Sequence, residues 1–481
     1  MELTGITTPA KSVDAPDILV PNELPTPVSA ATPAAPWSPA TRLAFRIAFL
    51  YFFGFIFIGA NGTLLRIFPV VGGWIQDKLS WPLNHLSEFV GQHLFHITGI
   101  AAHWHPSESG DTTMNWIHDG LVLTFALAGG ILWTIISQIR NNPRTDYRAL
   151  HAWLRFFLRL TCGMFMIGYG LAKVFPFQMP PPSVAILTEP AGNMAPMTFL
   201  WNLIGLSPVY EIICGSAEVL GGILLLYRRT ALAGALFSTF VITNVVLYNF
   251  CYDVPVKLFA ASLLLGCIFL ALPDALSLCR FFWSHKPTAP TAAWVPSFSR
   301  RAGCIAILVT EIVFAVAFLV VRPIFMTIGW HKLQIALRAP SPLVGAWHLD
   351  DAHLASGAFI DPEGLPVTDL YVAPSNRAYT RSSDGELWLS GVDLDPKKHT
   401  VRVSCYFINA PTNYAWQLSD PNHLILTSVP PEPPKPDPKH KPARPAPFTP
   451  AILTLTRTPT LDHYPLLERG FHFISEWRYE R

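Results

Sequence analysis

Seven stretches of the chain stay apolar long enough to cross a bilayer, which takes about 20 helical residues. They run Leu43–Leu65, Trp116–Ile139, Trp153–Phe175, Pro208–Tyr227, Ala231–Asn249, Val256–Ala271 and Ile305–Val321. Helices of soluble domains usually carry a polar face, so runs apolar all round predict membrane spans. The first run is too long for the apolar region of a signal peptide, and no clear cleavage site follows it, so it reads as retained. After Arg322 the period shortens to alternation. Strands are predicted at Tyr371–Ala373, Gly385–Leu394, Thr400–Ile408, His423–Ser428, Ala451–Arg457 and Phe471–Trp477. Ser383-Asp384-Gly385 supplies a turn, and Gly345-Ala346-Trp347 marks the start of this region. The fold class that follows is an all-α polytopic membrane bundle and then a small all-β barrel or sandwich.

Composition sharpens this division. Of 481 residues, 51% are hydrophobic and 14% charged, against about 25% charged in ordinary soluble domains. Net charge is +2, which gives no basic excess for a nucleic-acid partner. Residues 1–40 hold eight prolines and no apolar core, and read as a disordered cytoplasmic arm. Residues 41–322 form the membrane domain and 323–481 the β-domain, interrupted at 430–450 by a proline-rich insert with ten prolines. Proline cannot donate to a strand ladder, so the insert reads as a loop.

Lysine and arginine in the short connections set the orientation. With the N-terminus in the cytoplasm, fourteen cations fall inside: Lys11, Arg42, Arg46, Arg140, Arg144, Arg148, Arg155, Arg159, Arg228, Arg229, Arg280, Lys286, Arg300 and Arg301. Arg66, Lys78, Lys173, Lys257 and Arg322 remain outside, five in all. An inner-membrane protein with its β-domain outside the cytoplasm is the expectation.

Several motifs carry a family resemblance. Glu108-Ser109-Gly110-Asp111-Thr112-Thr113 precedes the second span, and Tyr169-Gly170-Leu171-Ala172-Lys173-Val174-Phe175 closes the third. Glu218-Val219-Leu220-Gly221-Gly222 and Arg228-Arg229-Thr230 frame the fourth and fifth spans. Asn244-Val245-Val246 and Tyr252-Asp253-Val254-Pro255-Val256-Lys257 follow. The block from Tyr169 to Asp274 resembles the membrane core of DoxX-like proteins, whose relatives include the DoxD subunits of thiosulfate:quinone oxidoreductase. The membrane part of vitamin K-dependent carboxylases is a remoter relative. Arg469-Gly470-Phe471-His472 resembles the end of an outer β-domain found in a bacterial subgroup. The resemblance implies membrane redox work linked to a quinone.

Ionisable groups within a membrane are expensive and invite a functional reading. Glu211 and Glu218 are seven residues apart, two turns along one helical face. Asn244 and Asn249 lie in the outer half of the fifth span, Asp253 and Lys257 at its outer end, and Lys173 near the outer end of the third. Lys173, Glu218 and Asp253 are the candidate catalytic groups. Tyr169, Glu211, Asn244, Asn249, Tyr252 and Lys257 are candidates for binding a substrate or cofactor. Two readings meet here: ion pairs and asparagines that glue helices together, or a polar pocket whose carboxylates and lysines move protons. Glu311 is expected to pair with a neighbouring cation.

The first outer loop collects His85, His93, His96, His103, His105 and His118, with Glu108, Asp111 and Asp119 nearby. No spacing matches a specific metal motif, and an interfacial belt with Trp74, Trp81, Trp104 and Trp116 is the favoured reading. None of the seven cysteines forms a CxxC pair. A bond between Cys251 and Cys405 would tie the β-domain to the core. The leading expectation is a membrane oxidoreductase component using a lipid-soluble quinone. The alternative is a non-enzymatic membrane binding or assembly protein whose outer β-domain engages a membrane or extracytoplasmic protein. A transporter is disfavoured because no inverted repeat is evident.

Overall fold

The computed structural model describes 36–59, 64–68, 71–104, 109–140, 144–287, 295–338, 340–350, 364–374, 377–395, 398–405, 412–429, 451–460, and residues 464 and 467. Among the described residues twelve α-helices come first: α1 Pro39–Phe57, α2 Val71–His93, α3 Thr113–Ile139, α4 Arg148–Val174, α5 Val184–Leu187 and α6 Pro196–Gly205. They continue as α7 Pro208–Leu226, α8 Ala231–Cys251, α9 Lys257–Ala271, α10 Ala275–Ser284, α11 Arg301–Val316 and α12 Arg322–Arg338. Seven helical stretches are long and apolar enough to span a membrane: α1, α3, α4, α7, α8, α9 running into α10, and α11 running into α12. The protein is therefore a polytopic helical membrane protein. Seven alternating crossings bring the C-terminal ends of α4 and α8 and the N-terminal ends of α7 and α9 to the end of the bundle that carries the β-domain.

The spans match the apolar runs, but three features depart from the sequence reading. Helix α2 occupies what read as loop. It packs through Gly72, Gln76, Ser80, Ser87 and Gly91 and exposes Trp74, Trp81 and Phe89, so its small polar face points inward. Its Asp77, Lys78 and Glu88 hide it from a hydropathy window. Second, Arg155 and Arg159, counted above as cytoplasmic loop charges, are fully buried within α4. Third, the last span continues through a π-helical stretch, Ala317–Val321, to Arg338, past the boundary expected at Arg322.

Helix α4 is the axis of the bundle, with most of its span buried. Close packing against α7 depends on glycine. A Cβ on Gly170 would sit 2.6 Å from the Gly215 carbonyl oxygen, and one on Gly215 would sit 2.5 Å from that of Gly170. Gly163 and Gly222, seven residues away on the same helices, repeat the contact: a Cβ on Gly222 would meet the Gly163 oxygen at 2.8 Å. Small residues at such interfaces let membrane helices approach closely where lipid supplies no hydrophobic drive.

At the other end of α4, cations are held inside the bundle. Arg159 pairs with Glu311, as expected for that carboxylate, and also donates to the Leu225 and Leu226 carbonyls. Arg155 lies 3.7 Å from Asp274 and donates to the Leu270 carbonyl. Arg46 donates to Thr134 and the Tyr147 hydroxyl and sits over the Tyr147 and Trp133 rings. Each charge is paired or hydrogen-bonded, as low-dielectric surroundings demand.

Eight antiparallel strands then close into a barrel in sequence order: β1 Gly345–Leu349, β2 Val367–Val372, β3 Arg377–Ser382, β4 Leu387–Asp395, β5 Thr400–Cys405, β6 Thr412–Asp420, β7 His423–Ser428 and β8 Ile452–Arg457. Closure comes from β1 pairing with β8, with Trp347 opposite Arg457 and Leu349 opposite Leu455. Alternate residues fill the interior, among them Trp347, Tyr414, Leu424, Leu426 and Leu455, as a barrel of this size requires. Trp347 donates to the Leu343 carbonyl at 2.8 Å, and the Arg457 guanidinium lies 4.3 Å from its ring. Gly345 has φ +141° and leaves room for that guanidinium, which a Cβ would approach to 2.5 Å. Strands β3 and β6 were missed in the sequence. The inward positions of β3 are Ala378, Thr380 and Ser382, too small and polar to mark a strand, whereas β6 does alternate, with Tyr414, Trp416 and Leu418 turned inward. The expected strand at 471–477, the insert 430–450 and the N-terminal arm up to residue 35 lie outside the described residues.

The barrel rests on the bundle through named contacts. Arg381 of β3 pairs with Glu189 at 2.7 Å, and Arg377 donates to the Phe177 carbonyl at 3.1 Å. Phe177 meets Trp330 of α12 edge-on, with ring centroids 6.1 Å apart.

Candidate functional site

The close approach of α4 and α7 places a lysine and a carboxylate within reach of each other. Lys173 Nζ donates to Glu218 at 2.9 Å, and both side chains are buried. Gly215 is what makes room, since a Cβ there would lie 2.6 Å from Lys173 Cβ. An isolated charge at this depth would be costly, and the pair answers for both.

The pair lines a cleft with about 460 Å³ of open space, counting its mouth. Phe165, Met166 and Tyr169 come from α4, Trp201 from α6, Ile242, Val245, Tyr248 and Asn249 from α8, and Phe259, Ala260 and Leu263 from α9. Gln178, Val254 and Val256 complete it. Tyr169 is 38% exposed, so the cleft communicates with the outside of the bundle. Apolar and aromatic walls with few polar groups are the usual make-up of a small-molecule site. Two acceptors in it lack partners: Asn249 Oδ1 and Gln178 Oε1 are buried without a hydrogen bond among the described residues. Asn249 Nδ2 donates to the Val256 carbonyl at 3.4 Å. Orphaned buried polar atoms of this kind are satisfied by ordered water or by a bound group.

Of the residues singled out in the sequence, Lys173, Glu218, Tyr169 and Asn249 come together here. Glu211 is buried two turns away on α7, where it accepts from the Met179 N–H at 3.0 Å, and it does not line the cleft. Asn244 is exposed on α8 and Tyr252 is exposed at its end, both away from the lining. Asp253 stands apart from Lys173 and Glu218. It pairs with Lys257 at 2.6 Å with 80% of its side chain exposed. Lys257 also lies 3.7 Å from Asp111, and that carboxylate accepts from the Lys257 and Leu258 backbone N–H groups at 2.6 and 3.1 Å. Asp111 thus caps the N-terminus of α9, where a negative charge suits the helix dipole.

Gln178, Trp201 and Tyr248 went unrecognised in the sequence. Gln178 lies in a connection, and Trp201 lies on a ten-residue helix too short to read as a span. Tyr248 had a usable signal, being adjacent to Asn249. The histidines do not converge: among the described residues no three His, Cys, Asp or Glu side chains come together as a metal site. His85 packs at a tilt against Trp81 and His93 stacks on Phe89, with centroids 4.3 Å apart in each pair. His118 is buried beside Asp119, while His105 and Glu108 lie outside the described residues. Cys251 is a free, exposed thiol.

Fold and site together define a class: a seven-span helical membrane protein with an aromatic-walled cleft around a buried ion pair and a closed β-barrel at that end of the bundle. No family model matches the chain, and no solved structure matches it. The uncharacterized protein YwoB of Bacillus subtilis (strain 168) is 35% identical over 127 residues, which are 26% of this chain and 78% of that protein. The chain belongs to the same family as YwoB.

Proposed function

We propose that the protein is a DoxX-like component of a membrane oxidoreductase, and that its cleft receives the head of a lipid-soluble quinone. The carrying observation is the buried Lys173–Glu218 pair lining the same aromatic cleft as the unpartnered Asn249 Oδ1 and Gln178 Oε1. Phe165, Tyr169, Tyr248 and Phe259 wall the cleft and offer apolar faces against which a flat head would pack. A quinol's two hydroxyls can donate to the free amide oxygens, and either amide turned over would donate to a quinone's carbonyls. Reduction of a quinone takes two electrons and two protons. The pair can hold and pass the protons, while the electrons come from a donor outside the cleft. The polar groups at the cleft's margin and the sequence resemblance described above support this reading.

In the proposed orientation the barrel lies outside the cytoplasm. Arg140, Arg144, Arg148, Arg228, Arg229, Arg280, Arg300 and Arg301 flank helix ends at the opposite face of the bundle, which accords with a cytoplasmic excess of cations.

Titration of purified protein with a short-chain quinone, followed by quenching of tryptophan fluorescence, tests the site. Saturable quenching that disappears in a folded Lys173→Met/Glu218→Met double variant is the expected result. An absence of saturable quenching in the parent protein overturns the proposal.

A further inference from the structure

A second cleft lies at the seam between bundle and barrel, separate from the first. It has about 690 Å³ of open space, counting its wide mouth. Pro176, Phe177 and Pro180 form one wall, Lys332, Leu333 and Ala336 of α12 a second, and Pro374 with Arg377 of the barrel a third. Two of its eight lining residues are cations, none is acidic, and the rest are apolar. The cations come from different domains, so the site exists only when the barrel is seated. The Phe177 carbonyl fixes the Arg377 guanidinium, and the nearby Arg381–Glu189 pair holds β3 in place. Glu211, whose charge reaches Arg377, is buried and outside the lining.

Depth narrows the occupant. The last helical span has 38 residues, Arg301–Arg338, or about 57 Å at 1.5 Å per residue. A bilayer with its headgroups measures about 40–45 Å, so the helix emerges from the membrane. Lys332 lies about 46 Å along it from Arg301, at the outer edge of the headgroups, level with Pro176 and Phe177 just past the C-terminal end of α4. Apolar walls at that level, with two cations and no competing carboxylate in the lining, match a phosphate attached to a hydrocarbon.

We propose that this seam binds the phosphate headgroup of an anionic phospholipid through Lys332 and Arg377, with the lipid's glycerol end against Phe177 and Leu333. The site does not depend on what the first cleft binds. A bound lipid would stitch the barrel to the bundle at the membrane surface.

Native mass spectrometry of the full chain released from mixed phosphatidylglycerol and phosphatidylcholine micelles tests this. The parent should retain phosphatidylglycerol over phosphatidylcholine by roughly 25-fold, since each of the two cations near an anionic lipid is worth about a factor of five. Lys332→Gln/Arg377→Gln should bring the ratio close to one. Ala336→Trp fills the cleft without altering charge and should do the same, which covers the case in which loss of Arg377 unseats the barrel. Inorganic phosphate at millimolar concentration should not displace the lipid, and its displacement would show a free-phosphate site instead. Equal retention of the two lipids by the parent, or undiminished preference in Ala336→Trp, overturns the proposal.

Discussion

Lys173 reaches Glu218 across the glycine-lined contact of α4 with α7, and the Nζ–carboxylate distance is 2.9 Å. The same glycines that bring α4 against α7 leave the space in which the lysine side chain turns toward its partner. Packing and chemistry are therefore set by one local feature.

Removing one member of the pair leaves a buried charge alone, which typically costs about 3–5 kcal/mol. Lys173→Met and Glu218→Met should each lower the melting temperature of the detergent-solubilised protein markedly. The double substitution should recover most of the loss, because apolar side chains of similar volume replace a buried pair at little cost. Quinone binding should remain absent in the double variant. Recovery of both stability and binding would leave the pair a purely structural element.

Gly215→Ala tests the contact that positions the lysine. Its new methyl would lie 2.5 Å from the Gly170 carbonyl oxygen and 2.6 Å from Lys173 Cβ, so α4 and α7 must separate. Overpacking of this kind costs about 1–3 kcal/mol. Gly168→Ala is the control: nothing lies within 4 Å of the added methyl, and alanine favours a helix over glycine by roughly 1 kcal/mol. Thermal melts should show a loss for the first and none for the second.

Much of this architecture was legible because lipid leaves so strong a mark on sequence. All seven spans stand where apolar runs stand. The Lys173–Glu218 contact was foreseeable because both residues fall in the same half of the membrane on neighbouring spans and no charge is tolerated alone there. Arg155 and Arg159 show the limit of that logic. Charge counting assigned them to a loop, but Asp274, Glu311 and three backbone carbonyls make their burial bearable, and these partners are more than 60 residues away in sequence. Asp253 shows the converse. Its place at the outer end of the fifth span put it among the candidate groups, whereas the end of α8 leaves it exposed and paired with Lys257. Trp201 and Gln178 join the cleft through connections whose path no periodicity encodes.

The two acidic residues at the α8–α9 turn should behave differently. Asp253 is largely exposed, and exposed ion pairs contribute roughly 0–1 kcal/mol, so Asp253→Asn should leave the melting temperature nearly unchanged. Asp111 caps α9 with both carboxylate oxygens, and loss of a helix cap costs about 1 kcal/mol. Asp111→Ala should lower the melting temperature measurably. Equal sensitivity at the two positions would contradict this division of roles.

Free thiols provide a readout of orientation. Cys251 ends α8 at the barrel end of the bundle, while Cys279 in α10 and Cys304 in α11 lie toward the other end, and all three are exposed. A membrane-impermeant maleimide applied to whole cells should label single-cysteine protein retaining Cys251. Single-cysteine proteins retaining Cys279 or Cys304 should require permeabilised cells. The reverse pattern would place the barrel in the cytoplasm.

The barrel should fold without the bundle. Its eight strands close on themselves, so no edge is left to be satisfied by the helices. Its interior is a separate cluster of apolar side chains centred on Trp347, Tyr414 and Leu455. The contacts that seat it, Arg381 with Glu189 and Arg377 with the Phe177 carbonyl, lie on the barrel's outside and can be given up without opening the core. A fragment from Pro340 to Arg481 should therefore be soluble, show β-rich circular dichroism and melt cooperatively. Trp347→Ala should destabilise it by about 3–5 kcal/mol, the range for removing a large aromatic side chain from a core. Gly345→Ala should also weaken it, since φ of +141° and the Arg457 guanidinium both exclude a side chain there. Arg381→Ala should cost the fragment less than it costs the full chain, because Glu189 is absent from the fragment and only the contacts to Tyr371 and Gly385 are lost. A fragment that aggregates, or melts without cooperativity, would show that the helical bundle is needed to complete the barrel.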